Sequence, residues 1–408
     1  MTWFKRVSLT ILGLLIFSGI LILVNAMQVS MQPIPGEWKK MFKAPAEELT
    51  EYANEHPLML KNTRIEGEDI SESQFYGANF QNVEWNDVVA QEGLFDGAVF
   101  NGGVIFDTSF ALSLLRNVEF ENIKFGEASF SKGVLENVKF KDCVINSSSF
   151  VGAGLKNVIF ENCRIDNSEI RNLQPSKVRI EDCELSDTNF FMSTLDVEII
   201  NSKGLQALDF LDLKPGSRVY IKNSSIGKYS DFSESKVSEF VVESSHLEKF
   251  SAHGLQARKL QIGNSDLELD FGQGTFETVD FDRSSHAILY ETTSKSISIT
   301  NCMPDSRIDL EKAKIGRLVI RDCKTSKIRL DKVVADEIVL VNVETKILNM
   351  AGAKIKNLKF QNVLLKGDID LTGAVADESV LNQVTIVPSA VIKTEGTNID
   401  LNGKTVSD

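Results

Sequence analysis

Residues 117–185 repeat one phrase four times: NVEFENIKF at 117–125, NVKFKDCVI at 137–145, NVIFENCRI at 157–165 and the looser KVRIEDCEL at 177–185. Each copy begins 20 residues after the one before it. That interval is a multiple of a shorter one. Every fifth residue from Ile65 to Ile200 makes 28 positions, and 26 of them are Ile, Leu, Phe or Trp, with Ala90 and Pro175 the exceptions. Hydrophobic residues are only 42% of the whole chain, so the run is not chance.

A beat of five matches neither the helical period of about 3.6 nor the strand period of 2. A short fixed repeat instead marks a solenoid, in which a unit buries its apolar face only by stacking on its neighbours. Two residues before each large side chain stands a small or β-branched one, as at Ala78, Val83, Ala98, Thr108, Val118, Ala128, Val138, Ser148, Ala153 and Val158. Large beside small is what a narrow, close-packed core requires.

With ANFQN at 78–82, and GAVFN, EASFS and GAGLK fitting more loosely, the chain resembles the pentapeptide-repeat family. The resemblance runs over about 135 residues. It implies an all-β fold, a right-handed parallel β-helix of square section with four pentapeptides to a coil, which accounts for the 20-residue phrase. It implies little about function.

The pattern continues past 200 in altered form. A large apolar residue followed closely by Asn or Asp recurs at Phe160, Ile180, Ile199, Ile221, Val242, Ile262, Phe281, Ile299, Ile320, Leu340, Phe360, Leu381 and Leu401, at intervals of 18 to 22. Between 310 and 365 the beat of five returns. One solenoid of roughly 17 coils is expected, a rod of roughly 80 Å at about 4.8 Å per coil. Its parts are 58–200 with regular pentapeptides, 201–305 with irregular coils, and 306–408 with regular coils and the C-terminal end. The 25 Phe against 5 Tyr and 3 Trp fit Phe-filled core columns, and 8 Pro and 26 Gly leave little room for a linker.

Residues 1–27 are different. Lys5 and Arg6 precede an uncharged apolar run, Val7 to Val24, of 18 residues. That is long enough at 1.5 Å per residue to cross most of a ~30 Å hydrocarbon core. The flanking charges favour a cytoplasmic N-terminus with the rest translocated. An uncleaved transmembrane helix is preferred over a signal peptide cut before Met27, because signal-peptide apolar regions are shorter. The solenoid is therefore expected in the periplasm, anchored to the inner membrane of a bacterium, with a secreted or periplasmic form after cleavage as the alternative.

Residues 28–57 read as a tether and a short capping helix, with Pro45 in its first turn, Glu47 and Glu48 at the positive end of its dipole and Pro57 ending it. A cap would cover the open strand edges of the first coil. In a second reading, Trp38, Lys39, Lys40 and Lys43 rest on the membrane surface.

Cys143, Cys163, Cys183, Cys302 and Cys323 all follow the Asn or Asp of the repeated phrase, so they share one inward column with Ser202, Ser224 and Ser265, and with Ile123, Val343 and Val363. They are read as small hydrophobes. Disulfides are the alternative, opposed by the strand spacing between parallel side chains. No His shares the column and no metal site is expected.

Catalytic patterns are lacking: the four His (56, 246, 253 and 286) stand without a partner motif, and there is no phosphate loop or nucleophile elbow. Asp266, Glu268, Asp270, Asp280 and Asp282 cluster in the least regular third, and a carbohydrate-active enzyme built on Asp270 and Asp280 is the runner-up reading. A solvated acidic face, in a chain of net charge -13, is preferred. The family resemblance adds a third option, an acidic DNA mimic that binds topoisomerases. Direct nucleic-acid binding is disfavoured by the acidic balance. The leading expectation is a non-catalytic scaffold without cofactor, contacting envelope proteins through its outer faces, with 201–305 and its Pro215, Gly216, Gly272 and Gly274 as the partner face.

Overall fold

The computed structural model describes residues 31–41, 48, 51–52, 55–56, 58–401 and 405–406. The expected anchor at 1–27, and Lys43, Pro45, Glu47 and Pro57 of the expected cap, lie outside them. Among the described residues no helix is long and apolar enough to cross a membrane.

The beat of five has a local cause. In each pentapeptide two inward residues flank one outward residue, as in a strand, and two outward residues then turn the chain. The second of those two is left-handed: Asn117 has φ 53°, Asn122 56°, Glu127 55°, Lys132 58° and Asn137 54°. Such a conformation costs most residues about 1–2 kcal/mol, and Asn and Asp least among those with side chains. The corner amides also stack along the axis: Asn157 Nδ2 donates to Asn137 Oδ1 at 3.0 Å, and Asn137 Nδ2 to Asn117 Oδ1 at 3.2 Å. One residue type thus makes the turn and ties successive coils.

Four such sides close a coil, and strands pair in parallel with the coils above and below. The fold is an all-β, right-handed parallel solenoid of about 17 turns with almost no helix. One ladder runs without a break from Leu60 through Phe80, Phe120, Phe160, Ile180, Ile199, Ile221 and Val242 to Ile299, Phe360 and Leu381. The column expected from the sequence is therefore one stacked row, irregular intervals included. We number the sides of a coil from the cores Phe75 (first), Phe80 (second), Trp85 (third) and Ala90 (fourth).

The second and fourth sides carry the aromatic core. Phe80, Phe100, Phe120, Phe140 and Phe160 stack with ring centroids 4.4–5.0 Å apart. Phe130 and Phe150 of the fourth side meet this column edge to face, at 87° against Phe140 and 86° against Phe160. Both arrangements suit the ring quadrupole. Trp85 sits among them fully buried, and its Nε1 has no hydrogen-bond partner among the described residues, a cost of about 1–3 kcal/mol. Gly103, at φ 116°, is required where it stands, because a Cβ there would lie 2.0 Å from the Val83 carbonyl oxygen.

Two positions of the five-residue series are corrected. Pro175 is exposed and Ser176 takes the inward place, because a one-residue bulge opens between Lys156 and Val158 on the paired strand. Ile200 points outward and Ile199 inward, because the coil from Ile180 to Ile199 is one residue short.

Residues before the first coil include two elements in the stretch expected to be a tether. Gln32–Pro33 pairs in parallel with Thr63 and Arg64, and Gly36–Met41 is helical. Glu48, Glu51, Tyr52 and Glu55 are helical as well. Ile34 and Trp38 are buried in the core cluster, and Tyr52 packs edge-on to Trp38 at 5.1 Å. The reading of Trp38 as a membrane-surface residue is thereby corrected: its indole is spent on protein contacts.

The cysteine column is also corrected in part. Cys143, Cys163 and Cys183 are buried free thiols, but Cys302 and Cys323 form a disulfide with Cα atoms 4.7 Å apart. The objection from strand spacing fails because Cys302 lies off the strands, between Thr300 and Ser306, where its Cβ need not run parallel to that of Cys323. Between the cysteines, serine is more than a filler. Cys183 N donates to Ser202 Oγ at 3.1 Å, Ser202 N to Ser224 Oγ at 3.1 Å, Ser224 N to Ser245 Oγ at 3.2 Å and Ser245 N to Ser265 Oγ at 3.2 Å. Each of these hydroxyls donates to its own strand two residues back, so all four both accept and donate.

Three outcomes are expected. Phe140→Ala should cost about 3–5 kcal/mol in denaturant unfolding by opening a cavity in the stacked column. Asn137→Gly should be tolerated, whereas Asn137→Val, which loses the amide and strains the corner, should lower the midpoint clearly. Cys302→Ser should cost about 3 kcal/mol, as expected for a closed loop of this size, and the difference should vanish when both proteins are reduced.

Candidate functional site

Among the described residues the core is packed with buried apolar side chains, so the outer faces carry the candidate site. The first side is the one that changes along the rod. Its core is large at Phe75, Phe95, Leu115, Leu135 and Leu155, and then mixes in small residues at Ser176, Ser217, Val237, Ala257, Ser294 and Ala335. Along this stretch the surface holds a groove of about 950 Å³ from Pro215 to Asp336, and a second of about 490 Å³ from Glu136 to Gly216, which lines both.

The floor of the larger groove is the nearly buried row Val237, Ala257, Phe276, Ser294, Ile315 and Ala335. One rim carries Lys236, Gln256, Thr275, Thr293 and Lys314, and the other Ser238, Arg258, Glu277, Lys295 and Asp336. Axial hydrogen bonds already use the backbone along this floor, so recognition falls to side chains. Of the loop residues expected to bulge, Pro215 and Gly216 line the groove. Gly272 and Gly274 do not: Gly272 leaves room for the Tyr290 ring, and Gly274 lies against Phe276.

The carboxylates singled out in the sequence do not converge. Asp266 and Asp270 belong to a three-stranded sheet with Ser225–Ile226 and His246–Ser251, whereas Asp280 and Asp282 belong to the large sheet on the second side. Asp266 pairs with His246 at 3.2 Å. Asp282 is held below the usual carboxylate range: burial opposes this, but Asn301, Thr300 and Arg283 all donate to it. Glu268 is placed on its strand only. Among the described residues no group of three or more His, Cys, Asp or Glu could hold a metal ion.

Asp270 instead joins a network that residue spacing did not disclose. Tyr290 Oη donates to Asp270 Oδ2 at 2.9 Å and lies 3.4 Å from His253 Nδ1, while His253 Nε2 lies 3.1 Å from Gln273 Oε1. Gln273 Nε2 donates to Glu291 at 3.0 Å, and Lys312 pairs with Glu291 at 2.9 Å. His253 is therefore tied into a bridge across four coils. Burial, then the hydrogen bond to Asp270, push the Tyr290 phenol up to about 12. A phenol that holds its proton this firmly is a poor general base, so the arrangement ties coils together.

The folded-state value lies above the ordinary value of about 10, so the stability it contributes is complete below pH ~10 and is lost as pH rises toward ~12. Thermal unfolding of the wild type should fall more steeply over that window than that of Tyr290→Phe. Equal slopes would show that the phenol is not linked to folding.

Comparison with known proteins gives a family match at 113–190, to the model described as a pentapeptide repeat region. No curated protein sequence matches. Two solved structures similar to the chain are HetL and QnrB1. HetL is a pentapeptide repeat protein involved in heterocyst differentiation regulation in the cyanobacterium Nostoc, 11% identical over 51% of this chain and 91% of that one, with a TM-score of 0.25. QnrB1, a plasmid-mediated fluoroquinolone resistance protein, is 20% identical over 48% and 82%, with a TM-score of 0.26. Overlays at these scores carry no argument about what this chain binds. The matched residues include the stacked Phe120, Phe140 and Phe160, and the chain is a β-solenoid that carries a pentapeptide repeat region.

Proposed function

We propose that this chain is a non-catalytic scaffold of the bacterial envelope, anchored in the inner membrane by residues 7–24, with its solenoid in the periplasm holding protein partners along the groove on its first side. The observation that carries the reading is that groove: it extends over many coils, it is floored by parallel strands, and its floor mixes small and large apolar residues. Rigid, pre-formed surfaces lose little entropy on binding. The Cys302–Cys323 disulfide supports an oxidising compartment, since such bonds persist outside the cytosol. A uniformly acidic DNA-like surface is less well supported, because many surface carboxylates pair with Lys or Arg of the same or adjacent coils, as in Arg64–Glu84, Lys141–Glu121 and Arg317–Glu337.

The test places a photo-cross-linking residue at Ser238 in the groove, or at Lys203 away from it, in intact cells. Fractionation should put the full chain in the inner membrane. Discrete envelope proteins should be recovered from the Ser238 position and not from Lys203. Recovery in the cytosolic fraction, or the same background from both positions, would count against the proposal.

A further inference from the structure

The charges around the two grooves are unevenly matched. The acids that line them have cationic partners: Glu277 with Lys295 at 2.9 Å, Asp336 with Lys356 at 2.6 Å, Asp196 with Arg218, and Glu136 with Arg116 at 3.9 Å. Four lining lysines do not. Among the described residues, no carboxylate comes within ion-pair distance of Lys156, Lys177, Lys236 or Lys314. Lys156 and Lys177 are even direct register partners on adjacent strands. Like charges placed opposite each other in a ladder are destabilising, and nothing in the fold of a chain with net charge -13 requires cations here.

Resting on the scaffold reading, we infer that the groove takes an extended acidic polypeptide segment laid along the rod axis. The unpaired lysines supply charge complementarity for carboxylates. The row Val237, Ala257, Phe276, Ile315 and Ala335 supplies an apolar floor, which suits interspersed aliphatic side chains better than a polyhydroxylated chain. From the coil of Lys156 to that of Lys314 is eight coil steps in register. Eight steps at about 4.8 Å span roughly 38 Å, the length of about a dozen extended residues at ~3.3 Å each. Since the floor offers no free backbone edge, the segment is held by its side chains alone. Its binding is accordingly salt-sensitive.

The experiment uses the purified full chain in detergent micelles and fluorescein-labelled dodecapeptides, one alternating Glu with Val and Ala, the other alternating Lys with Val and Ala. Polygalacturonate, an acidic glycan, serves as competitor. Anisotropy should show the acidic peptide binding, weakened by salt, while the basic peptide does not bind. Lys236→Glu combined with Lys314→Glu should weaken binding on the order of tenfold. Lys203→Glu, on a different part of the surface, should leave it unchanged. Equal binding of both peptides, indifference to the double substitution, or full displacement by the glycan at lower concentration than by unlabelled peptide would each overturn the inference. If cross-linking from Ser238 still recovers envelope proteins in the double-substituted chain, the scaffold reading stands and only the acidic-segment inference fails.

Discussion

Axial hydrogen bonding between parallel strands sets the terms for this molecule. Because each peptide group on a side reaches to the coil above or below, a coil has no freedom within its sides, and all turning is forced into corners. The corners are then made by residues that tolerate the left-handed region, Asn117 and Asn137 among them, and their amides extend the axial bonding outward. Inside, the same stacking places residue on residue, so a Phe column becomes a pile of rings and a Ser column becomes a relay from one coil's hydroxyl to the previous coil's N–H. Deleting one such contact is felt by two coils, which is how a quasi-one-dimensional fold becomes cooperative.

On the second side Phe80, Phe160, Phe281 and Phe360 share one ladder with Ile and Val residues such as Ile199 and Val242. On the first side Leu155 gives way to Ser176 and later to Val237 and Ala257, and the two grooves run along this stretch. The charged rims then decide what the groove accepts.

What the sequence disclosed divides along the same line. The coil count and the Phe80-to-Leu381 row were legible, irregular spacings included, because a parallel ladder repeats the chemistry of its core. The slip at Ile199 was visible only as two competing choices, since Ile199 and Ile200 are equally apolar and the one-residue-short coil that decides between them is a backbone feature. The disulfide was misjudged for a related reason: its feasibility rests on Cys302 having left the strand, which residue spacing does not encode. Outward residues vary in type from coil to coil, so the bridge of Asp270, Tyr290, His253 and Gln273 could not be assembled from spacing. The groove left almost no motif, because its floor is an ordinary core row, Val237, Ala257, Phe276, Ser294, Ile315 and Ala335, with no fixed residue type. Pro215 and Gly216 were its one visible sign.

The floor of the groove also works as a ruler. Each coil adds one rim position and one floor residue, at a spacing set by hydrogen bonding and not by side-chain choice. The length of anything that fits along it is therefore counted in whole coils. A loss or duplication of about 20 residues would change that length by one unit of about 4.8 Å while leaving the cross-section untouched, so in a molecule of this kind partner length and partner chemistry can change independently.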